Sequence, residues 1–339
     1  MSPPVIGVAI LGDTADGHKQ GAPLVCRASG TRALGGRASG AGAGASGAGA
    51  LGEEDAMKWR VGDVTVTKIV ELEVTGGSRF ILPDATREAI LPIAWLRPHF
   101  ADDDGRLRMS IHAFVVETPT RRIVVDTCLG NDKQHRRIPT WNDLHGSFLE
   151  DLAGAGYPRE SIDTVLCTHL HVDHVGWNTM LVEGKWVPTF PRARYLMGRV
   201  EFDHWSRPHG REDMVAVFGD SVQPVFDAGL VDLVEMDARL SDEISLIPTV
   251  GHTPGHVSVR ILSRGQEALI TGDFMHHPCQ IAHPEWASTA DSDAAQGQRT
   301  RERMFAELAG APVLVIGTHF AGATAGRIVR DDGAYRLDV

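Results

Sequence analysis

The sequence predicts a mixed α/β protein in which two β-sheets pack together with helices on the outside. Two clusters of short, β-branched apolar runs follow one another along the chain, and glycine-terminated helical stretches lie among them. In addition, 42% of the 339 residues are hydrophobic, enough for a sizeable core. A prior of roughly 150 residues per domain allows two domains, or one α/β unit of about 250 residues.

The elements are taken in chain order. From Ala33 to Leu51 the chain is nearly all Gly, Ala and Ser, with little apolar surface to set against its ordering entropy. Residues 1–56 are therefore expected to form a disordered, Gly/Ala-rich N-terminal extension, with the folded domain running over 57–339. Met57 is a candidate start, and Asp13 and Asp16 argue against a transit peptide. MKWRVGDVTVTKIVELEV, from Met57, reads as a first strand. IHAFVVET (111–118) and RRIVVDT (121–127) form a hairpin across Pro119-Thr120, and FLEDLAGAG (148–156) is a helix ended by glycine. The strand IDTVLCTH (162–169), a polar loop and the strand RARYLMG (192–198) complete the first half. The second half repeats the pattern with EISLIPTV (243–250), VSVRILS (257–263), EALITGD (267–273), a helix near 298–308 and PVLVIGTH (312–319).

Charge and cysteine usage exclude several classes of function. With 33 Lys+Arg against 44 Asp+Glu the net charge is -11, which repels phosphate backbones and anionic lipid, so nucleic acid is not expected as a partner. No apolar run approaches the ~20 residues that cross a bilayer. Cys26, Cys128, Cys167 and Cys279 lie far apart, without a C-x-x-C pair, which fits a reducing compartment and a cytoplasmic location. The three later cysteines are expected to be small buried residues.

The chemistry is concentrated at strand ends. In THLHVDH (168–174), His169 and His171 are two apart and point the same way in an extended segment, while Asp173 and His174 begin a turn toward another side. One short loop can thus feed two neighbouring divalent ions, whose preferred ligands are imidazole nitrogen and carboxylate oxygen. VGHTPGH (250–256), ITGD (270–273) and IGTH (316–319) also close strands and add His252, His256, Asp273 and His319. FMHHPCQIAHPEW (274–286) follows directly. Phe274, His276 and His277 are candidate substrate-pocket residues on that ground, as are Trp177 and Asn178 after the first cluster.

The order H-x-H-x-D-H, G-H-T-P-G-H, T-G-D and G-T-H resembles the metallo-β-lactamase-fold hydrolases, in particular the branch with N-acyl-homoserine lactonases, glyoxalase II and methyl-parathion-type hydrolases. The resemblance covers Met57 to the C-terminus. It implies a four-layer αββα sandwich with two divalent metal ions, zinc first, with Mn, Fe or Co as alternatives. It assigns His169, His171 and His252 to one ion, Asp173, His174 and His319 to the other, and Asp273 as a bridge. Asp126 and His256 take supporting roles. The bridging Asp273 and the absence of a thiolate ligand favour the lactonase and glyoxalase branches, and His171 argues against the flavin-partnered diiron branch.

The expected function is a metal-dependent hydrolase whose bridging hydroxide cleaves a small ester, lactone, thioester or phosphotriester, with Asp173 orienting the nucleophile or passing a proton. A C-terminal basic cluster for glutathione is not evident, which disfavours glyoxalase II activity. The alternative is a mononuclear iron persulfide-type dioxygenase using His169, His252 and Asp273. A non-enzymatic metal-binding domain is a third reading, and nuclease activity is disfavoured by the charge. The expected partner is a small molecule. Oligomeric state stays open, a dimer included.

Overall fold

The computed structural model describes residues 56–207 and 211–339, so the N-terminal extension, Cys26 included, lies outside the described residues apart from Ala56. Seven strands form the first sheet: β1 (Lys58–Val61), β2 (Val64–Thr75), β3 (Arg108–Glu117), β4 (Arg122–Val125), β5 (Thr164–Leu166), β8 (Arg194–Gly198) and β9 (Val231–Val234), in that spatial order. A second sheet has β10 (Ile244–Pro248), β11 (Val257–Ser263), β12 (Gln266–Ile270), β13 (Val313–Ile316), β14 (Ala325–Asp331) and β15 (Ala334–Asp338), again in order. β6 (Thr179–Val182) and β7 (Lys185–Pro188) make a separate antiparallel hairpin. The helices are α1 (Arg87–Ile90), α2 (Phe148–Gly154), α3 (Val172–Val175), α4 (Arg199–Trp205), α5 (Glu212–Val217), α6 (Gln223–Asp227), α7 (Cys279–Ala282) and α8 (Ala294–Leu308).

Strand periodicity sets the layers. On β3, Phe114 and Val116 face the inter-sheet core with Val257, Val259 and Ile261 of β11, while Ala113 and Val115 face a second core with Phe148 and Leu152 of α2. On the other sheet, Ala268 and Ile270 of β12 point inward, whereas Leu269, with Val313 and Val315 of β13, meets Met304 and Phe305 of α8. Strands apolar on both faces are what a sheet covered on both sides requires. The result is the αββα sandwich.

Some elements differ from expectation. The first long strand is two, broken by a turn at Gly62, whose φ of 57° suits glycine. The polar loop after His169 holds α3 and the β6–β7 hairpin. The helix expected near 298 starts at Ala294, because the Asp293 side chain accepts from the Gln296 N–H at 2.9 Å and caps it there.

Candidate metal centre

The metal-type side chains sit on loops that leave strands of both sheets at one edge. THLHVDH follows β5 in the first sheet. GHTPGH joins β10 to β11, Asp273 follows β12 and His319 follows β13, all in the second sheet. Three overlapping groups each bring one donor atom per residue within 4.8 Å: His169, His171 and His252; His169, His174 and Asp273; and Asp173, His174 and His319. A fourth group joins His252 and Asp273 to His276.

Hydrogen bonds fix which nitrogen each ring offers. The Nδ1–H of His319 donates to the Ser110 carbonyl at 3.0 Å, leaving Nε2 3.1 Å from Asp273 Oδ2. His174 Nδ1 lies 3.0 Å from Asp126 Oδ2, and His252 Nδ1 lies 3.0 Å from Asp291 Oδ1. The Thr168 hydroxyl donates to Asp126 and accepts from His169 Nδ1 at 3.1 Å. In each case Nε2 is the atom left for the centre. His171 is the exception, with Nδ1 facing His252 Nε2 at 2.8 Å.

The donor set passes a direct test for a divalent cation. Among the described residues, Nε2 of His169 and of His174, the atoms these two rings turn to the centre, are buried with no hydrogen-bond partner. Buried polar atoms left unpaired cost about 1–3 kcal/mol each, and a cation among them removes that cost. All the groups consist of imidazoles and carboxylates, with no thiolate, which suits a divalent ion such as zinc. Burial alone would lower His174 and His319, but the Asp273 charge raises both above the ordinary imidazole value, so a cation entering there displaces protons. Burial alone would raise the Asp273 pKa, but His319, His174 and His276 hold it well below the usual carboxylate range. Burial, and then the neighbouring His174, pushes His169 well below the ordinary imidazole value, leaving it neutral and able to donate its lone pair.

His256 has both nitrogens engaged: Nε2 accepts from the Asp273 N–H at 2.7 Å and Nδ1 faces the Thr249 hydroxyl at 2.8 Å. It has none left for an ion, and instead fixes the backbone of Asp273. Asp126, held at a φ of 58°, accepts from the Thr168 N–H at 2.8 Å and carries His174. Asp291 is absent from the sequence-based set. It lies 39 residues beyond His252, its side chain is buried, and Arg301 stands 3.4 Å behind it. Nothing in the local motif of Asp291 marks it out.

A cavity of about 510 Å³ opens over the centre, with His171, Asp173, His252, Asp273, His276 and His319 in its lining. Of the five residues expected in the pocket, His276 lines it, whereas the other four are taken up by packing. Trp177 stacks on Phe148 with centroids 5.6 Å apart, and Asn178 accepts from the Thr127 hydroxyl at 3.0 Å. Phe274 packs beside Phe305, and His277 Nε2 meets the Phe100 carbonyl at 2.8 Å. Being next to a ligand in sequence put these side chains on the core side of the turn. The wall facing the centre comes instead from β2, β3, α5 and the 3-10 turns Ser78–Phe80 and Pro139–Trp141.

The chain belongs to the metallo-beta-lactamase superfamily, whose family model matches residues 107–318. Over 166 residues it is 26% identical to the probable metallo-hydrolase YflN of Bacillus subtilis (strain 168), spanning 41% of this chain and 60% of that protein. It is 24% identical over 170 residues to an N-acyl homoserine lactonase of Bacillus cereus, spanning 46% of this chain and 59% of that protein. The matches thus span less than two thirds of the length of these relatives. Among solved structures it is similar to AidC, described as a dizinc quorum-quenching lactonase, with a TM-score of 0.70, 18% identity and coverage of 83% and 96% of the two chains. It is also similar to the hydrolase AbOPH, with a TM-score of 0.68, 24% identity and coverage of 84% and 97%. These likenesses show the fold. Among the described residues, no helix is long and apolar enough to cross a membrane.

Proposed function

We propose that this chain is a dinuclear metal-dependent hydrolase that cleaves a small ester or lactone with an apolar body. The observation that carries the reading is the convergence of His169, His171, Asp173, His174, His252, Asp273 and His319, several with orphaned buried atoms, beneath one cavity. His169, His171 and His252 would hold one ion, Asp173, His174 and His319 the other, and Asp273 belongs to both surroundings. Bound there, two divalent ions supply a water acidic near neutral pH and an electrophilic pull on a carbonyl or phosphoryl oxygen. Asp173 borders both the centre and the cavity, and from there it orients the attacking water and passes a proton to the leaving oxygen.

The walls select for substrate character. Leu72, Val74, Phe80, Met109, Trp141 and Met214 present apolar surface and exclude water from the reacting bond. Of the arginines lining the cavity, Arg136 pairs with Asp220 at 2.8 Å and Arg211 with Asp213 at 2.7 Å, while Arg137 stands exposed beside them. A lactone with an acyl arm, the class named for the Bacillus cereus relative, fits such a cavity and heads the substrates to try.

The test is a panel of lactone, aryl ester, thioester and phosphotriester, run on protein stripped by chelation and reconstituted with zinc, manganese or cobalt. The expected result is metal-dependent hydrolysis of at least one class, lowered about 10²- to 10⁴-fold in kcat by Asp173→Asn. Equal rates for wild type and variant on every compound would reject the mechanism. One iron per chain with oxygen uptake would transfer the assignment to a persulfide-type dioxygenase.

A further inference from the structure

Glu201 lies on α4, outside every group of candidate ligands, and is 1% exposed. Its carboxylate accepts three N–H groups. Oε1 takes the Leu170 backbone N–H at 3.2 Å and the Trp205 indole N–H at 2.6 Å, while Oε2 takes the Gly255 backbone N–H at 3.0 Å. Leu170 stands between His169 and His171, and Gly255 lies in the GHTPGH turn between His252 and His256. One side chain therefore grips both loops, one from each sheet, that present the first group of imidazoles. Trp205, one helical turn on, packs edge-to-face against the His171 ring with centroids 5.3 Å apart. The fit is close: a Cβ on Gly255 would collide with the Glu201 backbone and come within 2.8 Å of its Cβ.

We infer that Glu201 is a positioning residue that sets the affinity of the centre for its first cation, by holding the His169–His171 segment and the His252 turn at a fixed separation through its two carboxylate oxygens. The inference rests on the metal reading above. All three partners are donors, so only a group with acceptors on both oxygens satisfies them. A glutamine in the same place must turn its NH2 toward one loop or the other, setting donor against donor and leaving a buried N–H unpaired. The carboxylate thus acts on the imidazoles as an outer partner acts on a metal ligand, fixing direction without touching the ion.

The test measures cation affinity in the full chain by competition with a chromophoric chelator, alongside the visible spectrum of the cobalt-loaded protein. Glu201→Gln is expected to weaken binding of the first equivalent about 10- to 100-fold and to alter the cobalt spectrum. Gly255→Ala attacks the same junction from the other side and is expected to reproduce the loss. Trp205→Phe, which removes one of the three bonds and keeps the loop contacts, is expected to lose less than either. Should Glu201→Gln fail to fold, the comparison of Gly255→Ala with Trp205→Phe carries the result. Variants that melt earlier but bind the first cation with wild-type affinity and spectrum would overturn the inference and make Glu201 a packing residue. Wild-type protein that binds no divalent cation would instead overturn the metal reading itself.

Discussion

Lys133 has no solvent exposure, and its ammonium lies 3.6 Å above the Trp186 ring. It donates to the Thr179 hydroxyl at 2.6 Å and the Asp220 carbonyl at 3.1 Å. Burial pulls its pKa down to about 7 from 10.5, against the nearby Asp220 charge, which raises it. Between those two values the unfolded chain holds a proton that the folded chain has released, so stability rises with pH across that window and is flat below it. Lys133→Met should remove an increase on the order of 4 kcal/mol between pH 7 and 10.5, measured by denaturant unfolding. A smaller rise from about pH 8 is expected to persist, because burial also lowers Lys68, to about 8. Unchanged pH dependence in the variant would refute the assignment. In the sequence Lys133 sits in NDKQHRR and looks like a solvated charge. By contrast, His169, His171, Asp173 and His174 were legible because their chemistry lies in one short motif. Glu201, Asp291 and Lys133 reach Leu170, His252 and Thr179 across 31, 39 and 46 residues, pairings that no local pattern encodes.

At the scale of elements, α3 is positioned by its contact with the loop after β4. The Thr127 N–H donates to the His174 carbonyl and the Gly176 N–H to the Cys128 carbonyl, both at 2.8 Å. A Cβ at Gly176 would run into the Leu129 carbonyl. Gly176→Ala should therefore push the helix bearing Asp173 and His174 off that loop and cost about 1–3 kcal/mol, read from the unfolding midpoint of metal-free protein. A variant as stable as wild type would show that the loop yields freely. Most strands were legible because their residues are apolar on both faces. The β14–β15 hairpin was not read, although Asp332-Gly333, with φ of 42° and 85°, is a hairpin signal between two alternating runs. α5, the π-turn Phe218–Val222 and α6 form one irregular helical run that includes Pro224, and no single 3.6-residue period describes it.

At the scale of the whole molecule, the buried clusters among the described residues begin at Val61, with Trp59 packed against them, and both lie within the stretch that opens at Met57. Protein starting at Met57 should accordingly melt within about 1 °C of the full chain and keep the same turnover. A large loss of either would assign residues 1–56 to the folded unit. The two sheets meet through the inter-sheet core and again at the edge where His169, His171 and His174 from one face His252, Asp273 and His319 from the other. A cation at that edge ties together two halves of the polypeptide that are otherwise distant in sequence. The grip of the ion on the protein and the grip of the halves on each other are then linked quantities, so whatever loosens the seam also releases the ion, and starving the protein of metal weakens the sandwich itself.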